Sequence, residues 1–144
     1  MQELDDWFEH GAGQDQKRKL AAVFVLTRDS SRVAGFYSLS AHSILASELP
    51  PEFAKKLPRF PLPATLLGRM AVAVSLHGKS LGEHILLHAL ERALAGSHRV
   101  ASWAVLVDAK ASVRNFYVKR DFIPFPNRPD RLFLPMKSIE EMFR

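Results

Sequence analysis

The chain contains no cysteine among its 144 residues, which excludes disulfides, thiolate metal ligands and a cysteine nucleophile. It also lacks an uninterrupted apolar run of about 18 residues, so no membrane span is expected. The first ten residues, MQELDDWFEH, are acidic and amphipathic, unlike the basic and then apolar start of a signal peptide. These absences together favour a cytoplasmic protein.

The composition is that of an ordinary globular protein, with 47% hydrophobic and 24% charged residues. A chain of this length suits one domain with a real core, so residues 1–144 are interpreted as a single domain. The net charge of +5 favours polyanionic partners, such as nucleic acid, coenzyme phosphates or an acidic protein.

Hydrophobic periodicity predicts an antiparallel hairpin near the start of the chain, followed by alternating strands and helices. Ala21–Thr27 and Val33–Ser40 are strand-like and predict a hairpin, while the prolines of Ser47–Pro63 leave room for at most a short helix over Glu52–Leu57. The remaining predicted elements are a helix Leu4–Glu9, strand Ala64–Val74, helix Leu81–Ala95, strand Val100–Val107, helix Ala111–Arg120, strands Phe122–Phe125 and Arg131–Pro135, and helix Ser138–Phe143 capped by Ser138. This order predicts an α/β (α+β) fold with a mixed, mostly antiparallel sheet and helices on both faces.

An anion site is predicted where the apolar strand leads through a glycine-containing loop into the long helix. Gly78 and Gly82 let backbone N–H groups approach a bulky anion, and Lys79 can reach a phosphate. Two other interpretations remain open: Ser80 and Glu83 form a capping box and nothing more, and Lys79 is a solvated loop lysine.

Six segments, taken in order, resemble GNAT-type N-acetyltransferases, and above all the toxin branch of type II toxin–antitoxin systems (the TacT and AtaT type). They are VAGFYSL (33–39), LGRMAV (67–72), HGKSLG (77–82), VDAK (107–110), NFY (115–117) and RLFLPM (131–136). The chain departs from the family pattern at four positions: Ala73, His77, Ser80 and Asp121. Asp121 stands where the family has glycine and must turn the chain there, which aspartate tolerates better than most residues.

The resemblance implies a GNAT-like fold with a splayed central strand and acetyl-CoA as co-substrate. It implies Tyr117 as the catalytic general acid, since a phenol with a pKa near 10 can protonate a departing thiolate; the alternative is an aromatic residue that packs its helix on the sheet. The cofactor-binding residues that it implies are Met70, Ala71, Val72, His77, Gly78, Lys79, Ser80, Leu81, Gly82, Glu83, Asn115 and Phe116.

The resemblance also implies acetylation of the α-amine of aminoacyl-tRNA, which inhibits translation. This agrees with the chemistry, because an α-amine with a pKa near 7.7 needs less deprotonation than a lysine amine near 10.4. Arg69, Lys119 and Arg120 are the candidate substrate-binding residues, with Arg69 alternatively pairing an acidic neighbour. The wider tRNA surface is predicted to include Lys17, Arg18, Lys19, Lys55, Lys56, Arg59, Arg128 and Arg131. Two alternatives stay open: a protein or small-amine N-acetyltransferase, and a degenerate, non-catalytic CoA-binding module.

The partners implied by the resemblance are a ribbon-helix-helix antitoxin and a second copy of the chain in a homodimer. No metal is expected, since His84 and His88 have ligand spacing but no third ligand accompanies them. Trp7 and Trp103 are interpreted as core or interface residues rather than base-stacking platforms.

Overall fold

The computed structural model describes residues 16–29, 32–72 and 81–144. The strands are β1 (Ala22–Asp29), β2 (Arg32–Ile44), β3 (Leu62–Val72), β4 (Ala104–Asp108), β5 (Ile123–Phe125) and β6 (Arg128–Pro135). The α-helices in these ranges are α1 (Pro51–Ala54), α2 (Leu81–Ser97), α3 (Ala111–Val118) and α4 (Met136–Met142), and a 3-10 helix covers Ala46–Glu48. The predicted helix Leu4–Glu9, with Trp7, and the loop 73–80 lie outside the described residues.

The strands form a six-stranded sheet in the order β1-β2-β3-β4-β6-β5. Three of its pairs, β1–β2, β4–β6 and β5–β6, are antiparallel. The predicted hairpin is confirmed, with Val25 opposite Phe36 and Phe24 opposite Tyr37. The chain divides into two compact units, one from residues 1–40 and 67–92 and the other from residues 41–66 and 93–144.

In the first unit, close packing of α2 depends on a glycine in β2. The buried face of α2 carries Ile85, Leu86, Ala89 and Leu90, at the spacing of an amphipathic helix. A Cβ added to Gly35 would collide with Cδ1 of Ile85 and lie 2.7 Å from the carbonyl oxygen of Ala71. Only glycine therefore lets helix and strand backbone approach this position together.

A buried tyrosine of β2 joins this strand to α2. The ring of Tyr37 stacks on Phe24 with centroids 4.9 Å apart, and its hydroxyl is 2.6 Å from Nδ1 of His88. The sequence pattern places His88 on the polar face of the helix. In the structure the residue is half-buried, because it is the hydrogen-bond partner of the Tyr37 hydroxyl. Burial raises the pKa of Tyr37, an effect that the nearby Arg92 opposes.

The second unit has its own core, with Phe133 at the centre. The ring of Phe133 stacks on Trp103 at 5.8 Å and meets the edges of Phe53 and Phe125 at 5.3 Å each. Aromatic pairs in these geometries contribute beyond their buried area. The interpretation of Trp103 as a core residue is thereby confirmed.

The last helix begins earlier than predicted. Its N-cap is Pro135, without a side-chain cap, and its first residue is Met136, so the prediction that Ser138 caps it is wrong. The N–H of Met136 donates to the carbonyl oxygen of Trp103 at 2.7 Å, and Met136 and Ile139 are buried. A tertiary hydrogen bond and apolar burial thus take the place of the expected serine cap.

Helix α3 ends in a left-handed turn at Asp121, whose φ is 71°. The N–H of Asp121 donates to Val118 O at 3.1 Å, and the N–H of Phe122 donates to Tyr117 O at 3.2 Å. These two bonds, with Phe122 packed on Tyr117, define a Schellman motif. The expectation that Asp121 turns the chain without glycine is confirmed.

Replacing Gly35 by alanine is expected to lower the free energy of unfolding by about 1–3 kcal/mol, the usual cost of overpacking. The new methyl group must displace either Ile85 or the carbonyl of Ala71. Urea denaturation measures the change. Gly96→Ala is the matched control, since a Cβ there meets nothing within 4 Å and alanine favours a helix; an equal loss in both variants would contradict the packing argument.

Replacing Asp121 by glycine is expected to raise the free energy of unfolding by about 1 kcal/mol, because glycine adopts a positive φ without steric cost. Thermal unfolding measures the gain. Asp121→Ala retains the Cβ and should give none, so stabilisation by both variants would show that the carboxylate, not the backbone conformation, is responsible.

Candidate active site

The predicted cofactor-binding residues that the structure describes in the first unit lie at the end of β3 and the start of α2. Ala71 is buried and Met70 and Val72 are half-buried. In the first turn of α2, Leu81 and Gly82 are half-buried, whereas Glu83 is exposed. The N–H groups of a first helical turn have no partner within the helix, so this turn can accept an anion. His77, Gly78, Lys79 and Ser80 lie outside the described residues.

The backbone just before this strand end is held by a serine that sequence reasoning missed. Ser38 is only 3% exposed, and its hydroxyl oxygen accepts a hydrogen bond from the backbone N–H of Arg69 at 3.0 Å. A Cβ on Gly68 would lie 3.1 Å from this oxygen. The sequence signal for this contact is a small polar residue, Ser38, within a largely apolar strand.

Tyr117, the predicted general acid, lies in the second unit in the last turn of α3. Its ring is 8% exposed and makes edge contacts with Phe116 at 5.2 Å and Phe122 at 5.4 Å. Burial raises the pKa of Tyr117 to about 12, because a phenolate loses hydration there. The phenol therefore keeps its proton throughout the physiological range and is a donor.

Arg120, a predicted substrate-binding residue, folds back onto its own helix. Its guanidinium lies 4.0 Å from the ring centroid of Phe116, a cation–π contact, and its Nη1 donates to the carbonyl oxygen of Phe116 at 2.8 Å. By contrast, Asn115 and Lys119 are exposed. Arg69 is half-buried.

Two charged residues at the strand ends of the second unit form a bidentate pair. Nε of Arg131 donates to Oδ1 of Asp108 at 2.7 Å and Nη2 donates to Oδ2 at 2.9 Å. Hydrogen bonding from Arg131 holds the pKa of Asp108 below its usual range. No sequence pattern joins these two residues, although both belong to segments that carry the family resemblance.

The predicted site residues thus fall into two sets. Met70–Val72 and Leu81–Glu83, with Arg69, belong to the first unit, and Tyr117 with Asn115, Phe116, Lys119 and Arg120 belongs to the second. Within the ranges that the structure describes, no three or more histidine, aspartate or glutamate side chains are grouped to hold a metal ion. Nor does any helix of those ranges have the length and hydropathy to cross a membrane.

No family model matches the chain, but curated proteins do. A tRNA-acetylating toxin of Mycobacterium tuberculosis (strain ATCC 25618 / H37Rv) is 35% identical over 136 residues, which cover 94% of this chain and 81% of the relative. A probable toxin TacT of Sinorhizobium fredii (strain NBRC 101917 / NGR234) is 28% identical, with 97% of this chain and 83% of the relative covered.

Solved structures agree in fold over almost the whole chain. A tyrosine-to-phenylalanine mutant of KacT superposes with a TM-score of 0.93 at 26% identity, covering 99% of this chain and 87% of KacT. AtaT complexed with acetyl-methionyl-tRNAfMet gives 0.92 at 27% identity, covering 100% and 88% of the two chains. The predicted mixed α/β fold is confirmed by these superpositions.

Two further AtaT structures name its ligands. AtaTR bound with acetyl-CoA gives a TM-score of 0.85 at 28% identity, covering 100% of this chain and 87% of the other. A tyrosine-to-phenylalanine mutant of AtaT bound to the C-terminus of the antitoxin AtaR gives 0.82 at 25% identity, covering 97% and 82%. Given 35% identity to the mycobacterial protein over 94% of the present sequence, this chain belongs to the family of tRNA-acetylating toxins with the GNAT fold.

Proposed function

We propose that this protein transfers the acetyl group of acetyl-CoA to the α-amine of an aminoacyl-tRNA and thereby inhibits translation. The observation that carries the proposal is the 35% identity to a tRNA-acetylating toxin over 94% of the chain. The AtaT complex with acetyl-methionyl-tRNAfMet supports the same product class. Each step of such a reaction can be assigned to residues of this chain.

Acetyl-CoA supplies an activated acetyl thioester and a diphosphate by which it is held. The strand end Met70–Val72 provides backbone N–H groups for the thioester carbonyl. The diphosphate is assigned to the first turn of α2, Leu81–Glu83, and to the preceding residues His77, Gly78, Lys79 and Ser80. The described part of this set fits, because Gly82 adds no side chain to the first turn and Gly35 leaves space for Ile85 of the helix and the carbonyl of Ala71. Asn115 and Phe116 complete the proposed cofactor-binding set.

Tyr117 is proposed as the proton donor to the departing thiolate. Its buried phenol, with a pKa of about 12, is fully protonated when the reaction begins. Mutants of KacT and AtaT with a tyrosine replaced by phenylalanine have been solved, which supports a special role for a tyrosine in this family. This chain has two tyrosines, and Tyr37 is already bonded to His88.

The acceptor is proposed to be an α-amine because its pKa, near 7.7, leaves much of it neutral at physiological pH. A bond forms between this nitrogen and the acetyl carbon, and the carbon–sulfur bond breaks. The amine proton passes to water, the thiolate takes the proton of Tyr117, and the phenolate of Tyr117 regains a proton from water. These proton transfers need no strongly basic side chain.

Binding of tRNA is assigned to exposed cations, because phosphate contacts dominate affinity for nucleic acids. Arg69, Lys119 and Arg120 are the proposed substrate-binding residues, of which Lys119 is exposed and the other two are half-buried. The other cations of the proposed surface that are exposed are Lys17, Arg18, Lys19, Lys55, Lys56, Arg59 and Arg128. Arg131 does not join them, since its side chain is 11% exposed and pairs with Asp108.

The assembly and setting of the protein are also proposals. Residues 1–144 are proposed to act as one catalytic domain, as expected for a chain of this length. The protein acts in the cytoplasm, where aminoacyl-tRNA occurs. A ribbon-helix-helix antitoxin neutralises it, supported by the AtaT complex with its antitoxin, and the toxin is a homodimer, as in the branch that it resembles.

Tyr117→Phe is expected to lower kcat for acetyl transfer to charged tRNA by about 100-fold or more, the usual contribution of a general acid. The KM for acetyl-CoA should change little, because the variant keeps the aromatic ring. Transfer of radiolabelled acetyl from acetyl-CoA to charged tRNA, deacylated tRNA and lysine peptides measures both the effect and the acceptor class.

Tyr37→Phe removes the same chemical group from the other tyrosine and should retain wild-type kcat. Transfer by the wild-type protein to lysine peptides alone would end the aminoacyl-tRNA proposal. Equal loss of activity in both tyrosine variants would end the assignment of the proton to Tyr117.

The folded protein is expected to lose stability as the pH rises from 10 to 12. Burial favours the neutral phenol of Tyr117, so the unfolded chain releases this proton near pH 10 and the folded chain near pH 12. Two pH units correspond to about 3 kcal/mol. In Tyr37→Phe, which has a single tyrosine, the phenolate absorbance reports the ionisation of Tyr117 directly; a midpoint at pH 10 in the folded protein would contradict its burial.

A further inference from the structure

A polar cluster of the second unit, formed by His42, Asp108 and Arg131, has no part in the proposed mechanism. Arg131 makes its bidentate pair with Asp108, and its remaining terminal nitrogen, Nη1, is 3.1 Å from Nε2 of His42. A guanidinium has no acceptor, so Nε2 of His42 must accept this hydrogen bond.

The cluster lies on one face of the sheet, beyond its apolar part. Side chains alternate along a strand, so Asp108 shares a face of β4 with Leu106, and these residues pair with Arg131 and Phe133 of β6. Leu106 and Phe133 belong to the hydrophobic core of this unit. The polar cluster therefore continues the core face toward the strand ends.

His42 reaches Arg131 from a distant strand. It lies on β2, which is separated from β6 by β3 and β4 in the sheet order, a span of about 14 Å at the usual strand spacing. An ordinary cross-strand ion pair needs only the two adjacent strands. His42 holds the remaining guanidinium nitrogen of Arg131. Arg131 is therefore held by two partners, and its orientation in turn determines that of Asp108.

The exposure of the pair is uneven. The side chain of Arg131 is 11% exposed, whereas that of Asp108 is 51% exposed. A carboxylate has about four acceptor positions, and Arg131 occupies two. Asp108 therefore presents an ionised carboxylate with free acceptor capacity, while Arg131 has each of its guanidinium nitrogens engaged and is a poor contact for phosphate.

The strand that carries Arg131 also fixes the helix of Tyr117. The N–H of Ala109 donates to Asp130 O at 2.7 Å, and Nε of Arg114 donates to Pro129 O at 2.9 Å. Helix α3 begins at Ala111, three residues after Asp108 in the chain. Asp108 and the proposed general acid are thus carried by segments fastened to the same part of β6.

We propose that Asp108 is the binding group for the acceptor amine. Its carboxylate accepts N–H hydrogen bonds from the α-amino group of the aminoacyl ester, and Arg131 and His42 are positioning residues that orient it. This inference rests on the proposed function and names the group that recognises its acceptor. An ionised carboxylate binds an amine through charge-assisted hydrogen bonds, so the site selects acyl groups that carry a free amine.

The test measures binding without acetyl-CoA, so that turnover plays no part. One tRNA is charged either with its amino acid or with the desamino acid, in which hydrogen replaces the amine. Wild-type protein should bind the aminoacyl form about tenfold more tightly, the effect of a hydrogen bond to a charged group. In Asp108→Asn this ratio should fall toward one, and in Arg131→Lys, which retains the charge but not the fork, it should be intermediate.

Asp130→Asn is the matched control, since it makes the same charge change at an exposed position on the same strand as Arg131 and should keep the wild-type ratio. A ratio near one in the wild-type protein, or an unchanged ratio in both Asp108→Asn and Arg131→Lys, would overturn the proposal and leave a purely structural ion pair. If Asp108→Asn does not fold, the ratio in Arg131→Lys decides between these outcomes. Failure of the proposed function shows separately, as the absence of acetyl transfer from acetyl-CoA to any charged tRNA.

Discussion

The exclusion of water from Tyr117 is the constraint on which the proposed chemistry depends. The phenol is buried because α3 ends at Val118, directly after Tyr117, and the chain reverses through Asp121, which brings Phe122 back onto its ring. A helix that continued past Val118 would carry Phe122 away from the ring and expose the phenol. The protonation of this proposed general acid is therefore determined by how a helix ends, and it depends on an aspartate that adopts a glycine conformation.

Net charge overstates the cationic surface that can bind nucleic acid. Arg92 lies 5.4 Å from the ring of Phe24, and Arg131 is paired with Asp108. These guanidiniums already have partners within the fold, whereas the lysines of the proposed surface are exposed. This division follows from chemistry. A planar guanidinium can stack on rings and form bidentate hydrogen bonds in partly buried places, whereas a lysine ammonium is strongly hydrated and stays exposed.

The parts of the fold that local pattern determines could be predicted from the sequence. The β1–β2 hairpin and helix α2 agree with their hydrophobic periodicity, and the departure from glycine at Asp121 correctly indicated a left-handed turn. Long-range contacts could not be predicted. Strand β2 continues past Ser40 because Ile44 enters the core, and the start of α4 depends on a hydrogen bond to Trp103.

The candidate site divides in the same way, since Tyr117 and the strand-to-helix junction belong to motifs that are contiguous in the chain. Ser38 with Arg69, and His42 with Arg131, are separated by 31 and 89 residues, and only the pairing of distant strands brings such residues together.

Burial of the proposed general acid has a cost, since raising the pKa of Tyr117 weakens it as a proton donor. A thiolate that departs into the same low-polarity surroundings would be disfavoured for the same reason. In that case both pKa values would rise together, and the driving force for proton transfer would be preserved while the phenol stays protonated. The acceptor needs the opposite treatment, because its amine must be partly neutral to attack. An exposed carboxylate such as Asp108, held ionised by Arg131, can bind that amine while the amine stays hydrated. The surrounding water can then accept the proton that the amine loses. In the proposed reaction, the leaving thiolate and the acceptor amine thus meet different environments, a buried phenol and an exposed carboxylate.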